Sequence, residues 1–282
     1  MPGVARLLAW FEAAGCRGAV LAGTNGEGPS LSAVEKRDLL ERALPISGKL
    51  GLILGIATPS LEEAKWLARR ASGAGVAILC MPPFYFRDAT EQAIIDWFLR
   101  LMDSSAAPVL IYNFPQKTGI TITAEMMNRL SEHERFAGLK DSSGRRENLS
   151  EYAEAAGDCL KFVGNEELLL DALALGWSGT ISGAANVVPH WLTQIVESYV
   201  SGSIEVASAK FDLLLPVIRA LRGQPQPALN KALLVELGVL PSADLRLPLT
   251  PASSQAVVEV AELLRARLGI RPSRPVENLP SR

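Results

Sequence analysis

A lysine stands where a buried apolar strand is expected. Lys140 follows Phe136, Gly138 and Leu139 in the run AGLKDSS at 137–143. A charged ammonium in such a run is costly, so burial favours the neutral amine. A neutral amine is the nucleophile that attacks a ketone and forms an imine. An ion pair with a carboxylate on a neighbouring strand would satisfy the same lysine, and the residue alone does not choose between the two. Other polar or small residues mark the ends of other apolar runs. They are Thr24, Asn25 and Glu27 after the first run, Tyr85 after the third, and Tyr112 and Asn113 ending the fourth. Asp141 and Ser142 follow Lys140, Gly164 and Asn165 end the sixth run, and Ile181 belongs to the seventh. Metal chemistry is not expected: His133 and His190 are isolated, and Cys16, Cys80 and Cys159 are far apart with no C-x-x-C spacing.

The elements that must position these residues are short apolar runs, at 18–23, 50–56, 75–82, 108–115, 137–143, 161–165 and 179–186, alternating with stretches of helical period. Near-continuous apolar strands between helices are the pattern of a parallel sheet covered on both faces. Val4, Leu7, Leu8 and Phe11 form a helical stripe before the first run. Ser32 and Glu35 have the spacing of a capping box. Thr58-Pro59 and Val188-Pro189 place proline where a helix can begin. The reading is an α/β chain with a TIM (β/α)8-type barrel. Only seven strands are counted where a closed barrel needs eight, so the first strand is missing. The expectation is that the true start lies upstream of Met1.

After residue 186 the rhythm changes to helices alone, at 189–201, 204–221, 227–237 and 253–268. Stripes of Phe211, Leu214, Leu215 and Ile218, and of Val257, Val260, Ala261 and Leu264, support two of them. The expected organisation is a barrel over 1–202, a C-terminal helical appendage over 203–270, and a polar, proline-rich disordered tail over 271–282. A net charge of −2, with the 28 basic residues spread along the chain, argues against nucleic acid or a membrane surface as partner. No signal region and no membrane-length apolar run is seen, so a cytoplasmic location is expected.

Five segments in order carry a resemblance: GTNGE at 23–27, PPFYF at 82–86, YNFPQKTG at 112–119, GLKDSSG at 138–144 and GTISGAANVVP at 179–189. Together they are similar to the dihydrodipicolinate synthase/N-acetylneuraminate lyase family, from about residue 3 to about residue 268. The resemblance implies that Lys140 forms a Schiff base with a pyruvate-like 2-oxo acid. It implies that Tyr112 shuttles protons and that Thr24 belongs to its relay. Tyr85 resembles a second relay tyrosine, inserted into a neighbouring subunit's site, so a homodimer or homotetramer is expected. The amides of Thr24 and Asn25 would hold the pyruvate carboxylate, with a plain strand-to-helix turn eased by Gly26 as the alternative. Gly164 and Ile181 resemble pocket-lining residues, and Ser142, beside the lysine, is expected to bind substrate with them. No metal or organic cofactor is implied, because the imine itself is the electron sink.

Two departures bear on the second substrate. Lys117 stands where the synthases carry an arginine for the carboxylate of aspartate semialdehyde, and lysine lacks that bidentate fork. Asn25, Pro29, Leu31 and the KDSSG segment are closer to the 4-hydroxy-2-oxoglutarate aldolase branch. The expected activity is therefore cleavage or formation of a 4-hydroxy-2-oxo acid from pyruvate and an aldehyde. The alternative is 4-hydroxy-tetrahydrodipicolinate synthesis from pyruvate and aspartate semialdehyde. A silent 2-oxo acid sensor is the reading outside enzymes, and a barrel acting on phosphorylated substrates lacks a phosphate grip.

Overall fold

Apolar runs punctuated by glycine, proline and asparagine fold as strands, and hydroxyl residues open the helices between them. The computed structural model describes residues 2–271. In chain order the elements are α1 (Pro2–Ala13), β1 (Gly18–Leu21), α2 (Ala33–Ala43), β2 (Gly51–Ile56), α3 (Leu61–Gly73), β3 (Ala77–Cys80), α4 (Glu91–Met102), β4 (Val109–Asn113), the short α5 (Pro115–Thr118), α6 (Ala124–Ser131), β5 (Phe136–Asp141), α7 (Glu147–Ala155), β6 (Leu160–Val163), α8 (Leu169–Ala174), β7 (Gly179–Thr180), α9 (Pro189–Val200), α10 (Ile204–Arg222), α11 (Gln226–Glu236) and α12 (Ser254–Leu268). The strands form one sheet in the order β1 to β7, parallel at every pair from β2 onward. This is the α/β, TIM-barrel type of fold with seven strands among the described residues and helices at its C-terminal end.

The caps explain where helices start. Ser32 accepts from the Glu35 amide and Glu35 from the Ser32 amide, completing the expected capping box of α2. Pro189 occupies the first turn of α9, where its missing N–H costs nothing. Thr58-Pro59 behaves otherwise. Helix α3 starts two residues later behind a Ser60 cap, and the Thr58 hydroxyl instead donates to Glu63 and accepts from the Ser60 amide.

The described residues divide into two compact units. One, Ala19–Pro45 with Gly51–Ser182, carries the sheet from β2 onward and helices α2 to α8. The other combines the described parts of Met1–Gly18, Ile46–Leu50 and Gly183–Arg282. In it Trp10 donates to the Asn186 carbonyl and Thr193 to the Ala14 carbonyl, tying α1 to the start of α9. Helix α10 packs on α9 and α12. Leu215 is only half-buried while Val217 is fully buried, so the apolar stripe of α10 is turned slightly from the expected one. The division expected at residue 202 falls inside this unit, and residues 272–282 of the expected tail lie outside the described residues.

One irregularity in the sheet positions the site. The β4–β5 register pairs Val109 with Phe136 but Leu110 with Gly138, skipping Ala137. Such a bulge shifts by one residue which face each later side chain takes. Gly138 adopts φ 144°, and a Cβ there would lie 1.8 Å from the Leu160 carbonyl oxygen. Only glycine fits. Beyond the bulge Tyr112 pairs with Lys140 and Asn113 with Asp141. Side chains alternate along a strand, so the first pair shares one face and the second pair the other.

Candidate active site

The face that carries Tyr112 is largely apolar. Leu79, Met81, Leu110 and Tyr112 form a buried cluster, with Phe114 and Phe162 packed against it. The Tyr112 and Phe114 rings stack with centroids 5.7 Å apart and planes 26° apart, which fixes the tyrosine ring. Lys140 Nζ lies 4.2 Å from the centre of the Tyr112 ring. Lys140 is only 9% exposed. Among the described residues no carboxylate forms an ion pair with it. The ion-pair alternative raised by the sequence therefore has no partner there.

The phenol is the perturbed group. Burial by itself would push Tyr112 up. The Lys140 charge and the nearby polar groups of Ser142, Thr24 and Lys140 outweigh burial, and the phenol is held below the ordinary tyrosine value. Thr24 Oγ1 is buried without a strictly aligned partner, yet it lies close enough to the phenol to favour the phenolate. Amine, phenol and hydroxyl therefore meet at the carboxyl ends of β1, β4 and β5.

Glycines make room for this grouping. A Cβ on Gly164 would stand 1.9 Å from Ser142 Oγ and 2.9 Å from Lys140 Cε, so the end of β6 is hollowed where the lysine stem passes. The Thr24 turn depends on Gly28 and Gly55, not on Gly26. A Cβ on Gly28 would lie 1.7 Å, and one on Gly55 2.6 Å, from the Ala22 carbonyl oxygen. The positive φ values of this turn fall on Ala22 (53°) and Glu27 (56°), while Gly26 has none. The strain is therefore placed elsewhere than the sequence reading put it.

The remaining expected residues are placed less centrally. Asn25 is half-buried in the Thr24 turn. Ile181 is half-buried, and its amide donates to the Val163 carbonyl just past β7. Lys117 is exposed on α5. Tyr85 is 74% exposed, edge-on to Phe86 at 5.1 Å, and is not brought to Lys140 within this chain.

On the opposite face lies a polar network to which the sequence reading gave no role. Asn113 donates to Asp141 Oδ1 at 2.7 Å and to the Tyr152 hydroxyl at 3.1 Å. Ser143 donates to Asp141 Oδ2 through Oγ at 2.7 Å and to Oδ1 through its amide at 3.2 Å. Asn148 donates to Ser143 Oγ, and Tyr152 to the Ile122 carbonyl. The available signal was a pair of polar residues, Asn113 and Asp141, directly after Tyr112 and Lys140.

Residues 4–267 match the family model described as the Dihydrodipicolinate synthetase family. The chain belongs to this family. A 4-hydroxy-tetrahydrodipicolinate synthase of Archaeoglobus fulgidus is 32% identical over 88% of this chain and 85% of its own length. The solved dihydrodipicolinate synthase of Aquifex aeolicus superimposes with a TM-score of 0.91 at 25% identity, covering 96% of this chain and 93% of that one. A catalytic-lysine variant of the sialic acid aldolase of Ruminococcus gnavus does so with a TM-score of 0.87 at 25% identity, over 95% and 91%. Dihydrodipicolinate synthetase family enzymes are carbon–carbon lyases that hold pyruvate as a Schiff base on a lysine and act on an aldehyde partner, and this chain is an enzyme of that type. Among the described residues no group of three or more metal-binding side chains is found, and no helix is long and apolar enough to cross a membrane.

Proposed function

We propose that this chain is a pyruvate-dependent class I aldolase whose imine forms on Lys140. The observation that carries the reading is the buried Lys140 amine against the Tyr112 ring, with a phenol that the surrounding charge and hydroxyls make more acidic. In the proposed sequence the amine attacks the ketone carbon of pyruvate. Water leaves, and the imine withdraws electrons so that a methyl proton can depart. The resulting enamine adds to an aldehyde, or forms in reverse when a longer 2-oxo acid is cleaved. Tyr112 carries protons through these steps, since a phenol below its usual range is a better base near neutral pH. Thr24 relays them, and Ser142 supports the phenol. The amides of Thr24 and Asn25 hold the carboxylate, while Gly164 and Ile181 border the pocket. Tyr85, so exposed in one chain, serves the site of a second copy in a homodimer or homotetramer. The working location is the cytoplasm.

For the second substrate we favour a 4-hydroxy-2-oxo acid, on the grounds of Asn25, of KDSSG and of Lys117 in place of an arginine fork. The synthase reading is supported by the name of the Archaeoglobus fulgidus relative. Two experiments separate these readings. Reduction with borohydride in the presence of pyruvate should leave a stable adduct on Lys140; folded protein without one is a binder, not an aldolase. A panel of 4-hydroxy-2-oxo acids should then release pyruvate. If turnover is seen only with pyruvate and aspartate semialdehyde, the synthase reading replaces the aldolase one.

A further inference from the structure

We infer that Asp141 is a positioning residue that holds the 140–143 turn, and through it Lys140 and Ser142, against Tyr112. This rests on the lysine reading above. The case begins with alternation. Lys140 and Ser142 face the phenol, and Asp141 and Ser143 face away from it. The residues on the far face are held on every side. Asp141 takes three hydrogen bonds, from Asn113 on the tyrosine strand and from the amide and hydroxyl of Ser143 two residues on. Ser143 Oγ also accepts from Asn148 and from the Arg145 amide, and Gln116 donates to the Ser143 carbonyl at 2.6 Å. The backbone joins in. Ser142 donates to the Asn113 carbonyl, and Gly164 to the Asp141 carbonyl. Asp141 thus locks the strand that bears the amine to the strand that bears the phenol, one residue beyond each.

The carboxylate is an expensive way to achieve this. Asp141 is 1% exposed with only neutral donors around it. Burial raises its carboxyl above the ordinary value despite the bonds from Ser143 and Asn113 and the nearby Asn148 amide. A raised folded-state pKa means the folded protein binds its proton more tightly than the unfolded chain, so ionisation costs stability as pH rises through that window. Fold stability alone therefore does not account for an acid here. What a carboxylate supplies is acceptors only, for three donors at once. Asparagine offers a single carbonyl oxygen, and its NH2 would face a Ser143 hydroxyl already filled by two donors.

The test uses the full-length protein with Asp141→Asn and, as a variant that keeps the carboxylate, Ser143→Ala. Rates of pyruvate adduct trapping, kcat, KM for pyruvate and thermal unfolding are measured together. A displacement of about 1 Å in a reacting group costs about 100-fold. Asp141→Asn is therefore expected to slow trapping and kcat by about 10- to 100-fold, with KM for pyruvate within about threefold and a native circular dichroism spectrum. Ser143→Ala should reproduce part of that loss, and Asp141→Glu should restore less than half of it. The inference is overturned if Asp141→Asn traps pyruvate at the wild-type rate. It is also overturned if both variants lose activity only in step with their folded fraction. Absence of any adduct in the wild-type protein removes the lysine reading itself, and this inference with it.

Discussion

The two faces of β4 and β5, one residue apart along each strand, are built on opposite principles. On one face Lys140 and Tyr112 sit in an apolar surround with hydrogen-bonding capacity left over, and Thr24 Oγ1 is buried without an aligned partner. On the other face Asn113, Asp141, Ser143, Asn148 and Tyr152 bond one another closely. Unmade hydrogen bonds in a buried place are costly. In the proposed reading a substrate makes them, and the saturated face keeps the unsaturated one in register. Rigidity and reactivity are thus assigned to alternate residues of the same strands.

The sharpest way to break the comparison is to remove the amine. Lys140→Ala should abolish borohydride-trapped adduct and lower kcat/KM by about four orders of magnitude or more, with folding intact by circular dichroism. Next comes Tyr112→Phe, which keeps the ring stack but loses the hydroxyl proposed to carry protons. A loss of about 10²- to 10⁴-fold in kcat is expected in steady-state assays. Gly164→Ala tests the hollow beside the lysine stem. Its methyl meets Ser142 Oγ and Lys140 Cε, so activity should fall more than tenfold while stability drops by about 1–3 kcal/mol in urea titration.

A smaller effect concerns pH. The phenol is held below the ordinary value against burial by the Lys140 charge and by bonds including that from Ser142. Activity that needs the phenolate therefore rises with pH along a limb lying below the usual tyrosine range. Ser142→Ala removes one bond that favours the phenolate, so that limb should move to higher pH in a pH–rate profile. The linked stability has the same sense: a depressed phenol stabilises the fold above its unfolded value, and this is lost as pH falls through the depressed one. The smallest effect on activity belongs to Tyr152, which bonds Asn113 and Asn148 but not Asp141. Tyr152→Phe loses the donor to Ile122 and should cost about 1–3 kcal/mol of stability with little change in kcat. A large fall in kcat there would mean that the positioning runs through Tyr152 as well as through Asp141.

Much of this was legible in the chain. All seven apolar runs contain strands, the four helices expected after residue 186 are present, and Thr24, Tyr112, Lys140 and Gly164 do converge. Strand ends are readable because near-continuous apolar runs stop at polar residues. Two things were not readable. Gly28 and Gly55 are needed because a carbonyl from another segment packs on them, and no local pattern announces that. The Asp141 network joins residues up to 39 apart in sequence.

The sequence by itself determined the alternation of strands and helices and the residue types at each strand end, because those depend on local period and on turn-forming residues. It left open whether Lys140 faces the tyrosine or faces away. A strand has a period of two, so one inserted residue reverses every side chain after it. The bulge at Ala137, made possible by Gly138 against the Leu160 carbonyl, exists only in the paired sheet. Only the tertiary structure decided that the amine and the phenol share a face.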